Sequence, residues 1–276
     1  MCLLVCSTDC SHLGLCLCFV SAVVCGWHVD DHGFWPALAD APGINAWIAL
    51  DDYNDTTTMA NDDDQEGGFA LAVGSHRASW RHEAYQATGA AHTVPPEGFS
   101  SAADMVQRRQ GSGTCNIKHS APHLQRRLEE TKRVYRDLQA GDIIFHDRWL
   151  FHRTIPQTGA TNKIRRRYSV RLGPGSSIIP RGYGTEPSVL YRDEHGGKTA
   201  DQVSETWPWY LRVWPRADDS ELAAWREFCD SIYPVAIEKQ TARKKEMKPY
   251  LQKLAQQQQI HPQANNLLYD FSEGYS

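Results

Sequence analysis

Apolar residues in this chain gather in short runs. Residues 44–50, 69–73, 142–145 and 168–172 are apolar or alternating, and Gly, Pro, Asn or Asp separates them. Short runs with period two between such breakers predict β-strands joined by turns. Helical spacing appears in two places. Residues 123–138 put Leu124, Leu128, Thr131 and Tyr135 on one face between charged positions, which predicts a surface helix. Beyond about residue 200, Leu222, Trp225, Phe228 and Ile232 form an apolar stripe, expected to pack on the core, behind Asp218 or Ser220 as N-cap. Residues 51–68 are acidic, rich in Thr and Asn and without period, as a solvated loop would be. The last segment carries Arg243-Lys244-Lys245 and a glutamine run at 256–259, predicting a solvated helix and a loose tail. The pattern divides the chain into an atypical Cys-rich apolar segment (1–26), a strand-rich core (27–200) and a helical extension with a polar tail (201–276). The expected class is mainly β with flanking helices.

Composition narrows this little. With 276 residues, 41% hydrophobic and 10% aromatic, the chain can bury a core and is neither collagen-like, coiled-coil nor wholly disordered. Its net charge of −4 hides an asymmetry: no Lys or Arg precedes Arg77, so the stretch before Arg77 is −11 and the rest +7. Six of the eight cysteines (Cys2, Cys6, Cys10, Cys16, Cys18, Cys25) lie ahead of Gly26, without paired C-x-x-C spacing. The apolar run at 13–26 is too short to span a membrane. The residues before it hold Asp9 and no basic group, unlike a secretory signal. The segment is expected to be a buried strand or an atypical chain start, and the protein to be intracellular and cytoplasmic.

The sharpest chemical signal is Trp27-His28-Val29-Asp30. In an extended strand residues two apart share a face, so His28 and Asp30 converge. Two imidazoles and one carboxylate form a facial triad that leaves positions open on Fe(II). A second histidine stands ready in the segment 141–154, where His146 and His152 follow a Gly-Asp turn and a buried strand. In the third segment, 164–172, alternation puts Arg167 and Ser169 on one face, with Arg171, and Tyr168 and Val170 on the other. A guanidinium fork beside a hydroxyl suits a carboxylate. Arg165 and Arg166 are rivals to Arg167. Asp31 and His32 have the wrong parity or lie too far along, and His119-x-x-x-His123 contains Pro122 and lacks the glutamate of a zinc protease.

These segments, from about Trp27 to Gly175, resemble the phytanoyl-CoA dioxygenase family of Fe(II)- and 2-oxoglutarate-dependent oxygenases. The resemblance includes the strand Asn45-Ala46-Trp47-Ile48-Ala49-Leu50. It also includes Gly67-Gly68-Phe69-Ala70-Leu71-Ala72-Val73-Gly74-Ser75-His76, which is similar to the family's Asn-Gly-x-Leu and Pro-Gly-Ser-His stretch. His152-Arg153-Thr154 follows the family's placing of its second histidine before a small or basic residue and a Ser or Thr. Three features depart from the family. Val73 stands for proline, residues 51–66 lengthen a short connection, and Arg167 follows His152 at a longer interval than is usual.

The resemblance implies a jelly-roll, cupin-like double-stranded β-helix with iron on His28, Asp30 and His152. Arg167 and Ser169 would hold 2-oxoglutarate, Trp47 would line its pocket, and His146 would neighbour the site. It also implies O2 as co-substrate, decarboxylation of 2-oxoglutarate to succinate and CO2, and hydroxylation of a small organic substrate. Asp30 in place of Gly or Ala disfavours a halogenase. Because so little chain precedes Trp27, the alternative is a catalytically silent barrel acting as a binding module. Nucleic-acid binding is not expected, since no aromatic-basic interleaving accompanies residues 165–167. No membrane span is expected, and the sequence leaves the oligomeric state open.

Overall fold

The computed structural model describes residues 2–4, 26–30, 42–53, 66–88, 99–108, 117, 121–157, 166–185, 189–204 and 213–260. Seven strands are described: β1 (Cys2–Leu4), β2 (Ile44–Ala49), β3 (Glu66–Ala72), β4 (Lys132–Tyr135), β5 (Ile143–Asp147), β6 (His152–Gln157) and β7 (Arg167–Gly173). They form two antiparallel sheets, one in the order β1-β7-β2-β5 and the other β4-β3-β6. The helices are α1 (Ala78–Thr88), α2 (Ala102–Arg108), α3 (Pro122–Glu130), α4 (Val189–His195), α5 (Ala200–Ser204) and α6 (Asp219–Ile260).

Strand parity decides what faces what. On β2 the residues Asn45, Trp47 and Ala49 are buried, whereas Ile44 is exposed. The register continues this inner face: Asn45 lies opposite His146 and Arg171, Trp47 opposite Ile144 and Ser169, and Ala49 opposite Arg167. From the other sheet Leu71 lies opposite His152, and Phe69 opposite Thr154 and Tyr135. Trp47, Ala49 and Ile144 pack with Phe69 and Leu71 in one cluster between the sheets, with the Trp47 and Phe69 rings stacked at 5.1 Å.

The opposite face of the three-stranded sheet meets the helices. Ala70, Ala72, Phe151 and Ile155 pack with Ala84 of α1 and Leu124 and Leu128 of α3. Trp27 and Val29 join this layer. The segment 26–30 is attached by an isolated antiparallel bridge between His28 and His152. Gly68, at φ +119°, is required where it stands, because a Cβ there would lie 2.6 Å from the Tyr135 carbonyl.

Three sequence expectations are corrected. The helix expected over 123–138 ends at Glu130, and residues 132–135 instead form β4 against β3. Thr131 ends it: its hydroxyl donates to the Arg127 carbonyl, and its N–H satisfies the Arg127 and Glu129 carbonyls. Lys-Arg-Val-Tyr then finds its strand partner far upstream, in Phe69–Ala72, which no local periodicity reveals. The loop expected through 68 gives way to β3 from Glu66, whose partner is Gln157; residues 54–65 lie outside the described set. The apolar stripe of α6 is only half-buried, and the helix is buried instead at Ala236 and Gln240.

Asp218 is the N-cap of α6. Its Oδ1 accepts the Glu221 N–H at 2.8 Å, while Glu221 Oε2 accepts the Asp218 N–H at 2.9 Å. Arg243 of α6 donates to both carboxylate oxygens of Asp193 on α4. In the N-terminal segment the described strand is β1, paired with β7; the apolar run at 13–24 lies outside the described residues. No helix among the described residues is long and apolar enough to cross a membrane.

Candidate metal centre

The bridge between His28 and His152 sets the site. His28 N–H donates to the His152 carbonyl at 3.1 Å and His152 N–H to the His28 carbonyl at 2.9 Å, which places the two rings 4.3 Å apart. Because Trp27 and Val29 are committed to the helix layer, His28 and Asp30 project the other way, between the sheets. One donor atom from each of His28, Asp30 and His152 lies within 4.8 Å of the others. Two imidazole nitrogens and a carboxylate on one side of a centre suit a divalent iron with open positions.

The tautomers fit this use. Nδ1 of His28 donates to the Gly26 carbonyl and Nδ1 of His152 to the Leu150 carbonyl, each at 2.9 Å. Each Nε2 is left as a lone-pair donor. Asp30 Oδ2 accepts from Asn45 Nδ2 at 2.9 Å and from the Arg171 guanidinium at 3.4 Å. Its Oδ1 lies 3.7 Å from His152 Nε2. One carboxylate oxygen is thus held by the protein and the other faces the histidines.

The turn that delivers His152 is tied on several sides. Asp147 Oδ1 accepts the Trp149 N–H at 2.7 Å. Ser75 Oγ accepts the Phe151 N–H at 2.9 Å and donates to the Ala72 carbonyl at 2.7 Å. Ser75 belongs to the Gly74-Ser75-His76 stretch, so that motif positions the turn next to the second histidine.

Burial by itself would raise the Asp30 carboxyl, but Arg171 and the surrounding histidines hold it well below the usual carboxylate range. His152 is shifted in the sense expected of a buried base. Burial, followed by the neighbouring His28 and His146, pushes it well below an ordinary imidazole, and Asp30 opposes this only in part. Burial also lowers His146. Unfolded imidazoles therefore take up protons, below about pH 6.5, that the folded protein refuses, so stability falls as pH falls. The limiting slope is about 1.4 kcal/mol per pH unit for each such histidine. Asp30 works in the other window: its contribution is intact above about pH 4 and is lost below it. Urea titrations of the metal-free protein at pH 7.5 and 5.5 should show lower stability at 5.5, and His152→Gln should flatten the difference. Equal stabilities would contradict neutral buried imidazoles.

The other residues singled out in the sequence fall as follows. Trp47 is buried on the inner face opposite Ser169, and Arg167 is half-buried opposite Ala49. Arg167 donates to Thr154 Oγ1, two residues beyond His152 on β6. Arg166 is exposed and pairs with Asp51 through its side chain and backbone N–H. Arg171 lies beside Asp30 and is tied to a metal-ligand candidate. His146 neighbours the site, its ring 4.6 Å from that of His152. His123 is exposed and pairs with Glu83. Arg165, Asp31, His32 and His119 lie outside the described residues. Asn45 and Thr154, given in the sequence only as parts of longer motifs, also reach the candidate residues, Asn45 at Asp30 and Thr154 at Arg167. Their parity with Trp47 and His152 was the available signal.

Some buried polar atoms lack partners where a ligand would sit. Among the described residues, the Asn45 Oδ1 and Trp47 Nε1 atoms, both on the inner face of β2, have no hydrogen-bond partner. Such atoms are costly unless something bound satisfies them.

No known family profile matches the chain, and no curated protein matches its sequence. Solved structures do match. One is a non-heme alpha-ketoglutarate-dependent carbocyclase, SnoK, from nogalamycin biosynthesis, at 16% identity and TM-score 0.35, over 64% of this chain and 52% of that one. Another is apo HygX from Streptomyces hygroscopicus, at 15% identity and TM-score 0.30, over 64% of this chain and 62% of that one. The matched region thus spans between half and two thirds of either protein.

Proposed function

We propose that this chain is a non-haem Fe(II)- and 2-oxoglutarate-dependent dioxygenase that hydroxylates a small organic substrate on a double-stranded β-helix. The observation that carries the reading is the convergence of His28, Asp30 and His152, each with its non-ligating atom already tied to the protein. The strand order supports the architecture. Along the chain β2, β5 and β7 enter one sheet and the segment 26–30, β3, β4 and β6 join the other, so the chain winds between two facing sheets. Within this reading the structured core extends over 27–200.

Fe(II) bound with 2-oxoglutarate would supply the oxidising chemistry, in which O2 and 2-oxoglutarate yield succinate, CO2 and the hydroxylated product. The chain's own residues hold and orient. His28, Asp30 and His152 supply three donors on one side. Arg167 offers its guanidinium, with Thr154 and Ser169 as hydroxyl partners, to the distal carboxylate of the dicarboxylate. Thr154 stands two residues from His152, about 7 Å along the strand, which a five-carbon dicarboxylate can reach. Trp47 closes the same inner row, with its Nε1–H available to an acceptor. Phe69 and Ile144 exclude water from this side.

The test is succinate formation from 2-oxoglutarate by the purified protein with Fe(II) in air, over a panel of small substrates. Turnover that requires Fe(II) is expected. Tight Fe(II) binding with no succinate across the panel would overturn the enzyme reading in favour of a binding module. Arg167→Gln should raise the KM for 2-oxoglutarate about 100-fold, as expected for losing charged hydrogen bonds worth about 3 kcal/mol, and should change kcat less. Arg166→Gln should leave that KM alone.

A further inference from the structure

Glu129 lies on the far side of the three-stranded sheet from the proposed metal centre, at the C-terminal end of α3. An acid is disfavoured there by the helix dipole, so its position does not serve the helix. Its carboxylate instead gathers four donors. Oε1 accepts from Trp27 Nε1 at 2.7 Å and from Gln125 Nε2 at 3.0 Å. Oε2 lies 3.3 Å from both the Arg153 guanidinium and Lys132 Nζ.

Two of these donors flank proposed ligands. Trp27 precedes His28 and Arg153 follows His152. In the antiparallel register of the His28–His152 bridge, Trp27 and Arg153 are the next opposed pair. The Arg153 guanidinium also lies over the Trp27 ring at 5.0 Å. The strand segment carrying His28 and Asp30 has only this one bridge to the sheet among the described residues. It is held by the bridge, by the bonds of Asp30 to Asn45 and Arg171, by the burial of Trp27 and Val29, and by the carboxylate of Glu129.

We infer that Glu129 is a positioning residue that clips Trp27 to Arg153 and so sets the separation of the two histidines on the other face of the sheet. Its effect on metal binding rests on the oxygenase reading above; its effect on the bridge does not. Cross-strand neighbours on one face determine how closely the backbones lie, and that spacing passes to the residues projecting from the opposite face. Partners bonded directly to metal ligands commonly affect affinity 10- to 100-fold, and Glu129, one residue further out, is placed at the lower end of that range.

Two measurements on the metal-free and Co(II)-titrated full chain test this. Glu129→Ala is expected to speed hydrogen exchange at the His28 and His152 amides about 10-fold beyond any change in global stability, and to weaken Co(II) binding about 10-fold. Glu129→Gln keeps an acceptor for Trp27 and should restore part of both. Met105→Ala, in a separate core cluster, controls for general instability and should change exchange at these amides only in step with the whole protein. Unaltered exchange in Glu129→Ala relative to that control overturns the clip. Faster exchange with unchanged Co(II) affinity leaves Glu129 merely structural and overturns its positioning role. Faster exchange in a protein whose wild type binds no Co(II) upholds the clip and overturns the oxygenase reading instead.

Discussion

Asp30→Ala is expected to weaken Fe(II) or Co(II) binding by more than about 100-fold, above the range for losing an outer partner, and to end 2-oxoglutarate turnover. Asp30 is the proposed anionic donor of the site, and its second oxygen is held by Asn45 and Arg171. Removing it also takes the carboxylate away from a buried guanidinium. Breaking a buried ion pair from one side costs about 3–5 kcal/mol, so the metal-free variant should unfold at a lower urea concentration. A titration with Co(II) and a urea curve measure the two effects separately. Wild-type affinity in the variant would exclude Asp30 as a ligand, whatever its stability.

Phe151→Ala should have a comparable effect on stability by another route. Phe151 is fully buried between sheet and helices, its N–H donates to Ser75 Oγ, and its carbonyl accepts from Ala72 at 2.9 Å. Truncating a buried phenylalanine costs about 3–5 kcal/mol. For a protein of this length that lowers the melting temperature by about 10 °C. The cavity lies immediately behind His152. A melting temperature within about 2 °C of the wild type would mean that the layer closes over the gap and that Phe151 does not hold the turn.

The convergence of His28, Asp30 and His152 was legible in the sequence where parity alone decides it. The alternation of Trp27-His28-Val29-Asp30 fixes which two side chains converge with His152 and which two meet a core, and the same argument groups Arg167, Ser169 and Arg171. Preferring Arg167 to Arg166 also rested on parity; Arg166 is paired with Asp51. What parity cannot supply is a partner from elsewhere in the chain. Asn45 and Arg171 reach Asp30, and Glu129 reaches Trp27, across stretches of sequence that no local pattern links. Each is an ordinary polar residue until the sheets bring it close. The error at residues 131–135 has the same source. Thr131 and Tyr135 fit a helical period, but a carbonyl-bonding threonine and an available strand edge on β3 outweigh it.

The three proposed donors are unequally mounted. His152 sits on a full strand paired with β3 along its length, whereas His28 and Asp30 share a short segment that, among the described residues, has one backbone bridge to the sheet and is otherwise tied by side chains, Asp30 to Asn45 and Arg171 and Trp27 to Glu129. On the proposed metal-centre reading, departure of an ion then would not require global unfolding. Peeling that segment, at the cost of exposing Trp27 and Val29 and breaking the Asp30 and Trp27 side-chain bonds, would remove two proposed donors in a single step and leave the third in place. How long an ion stays would be a kinetic property of all those contacts, adjustable by substitutions that never touch a coordinating atom.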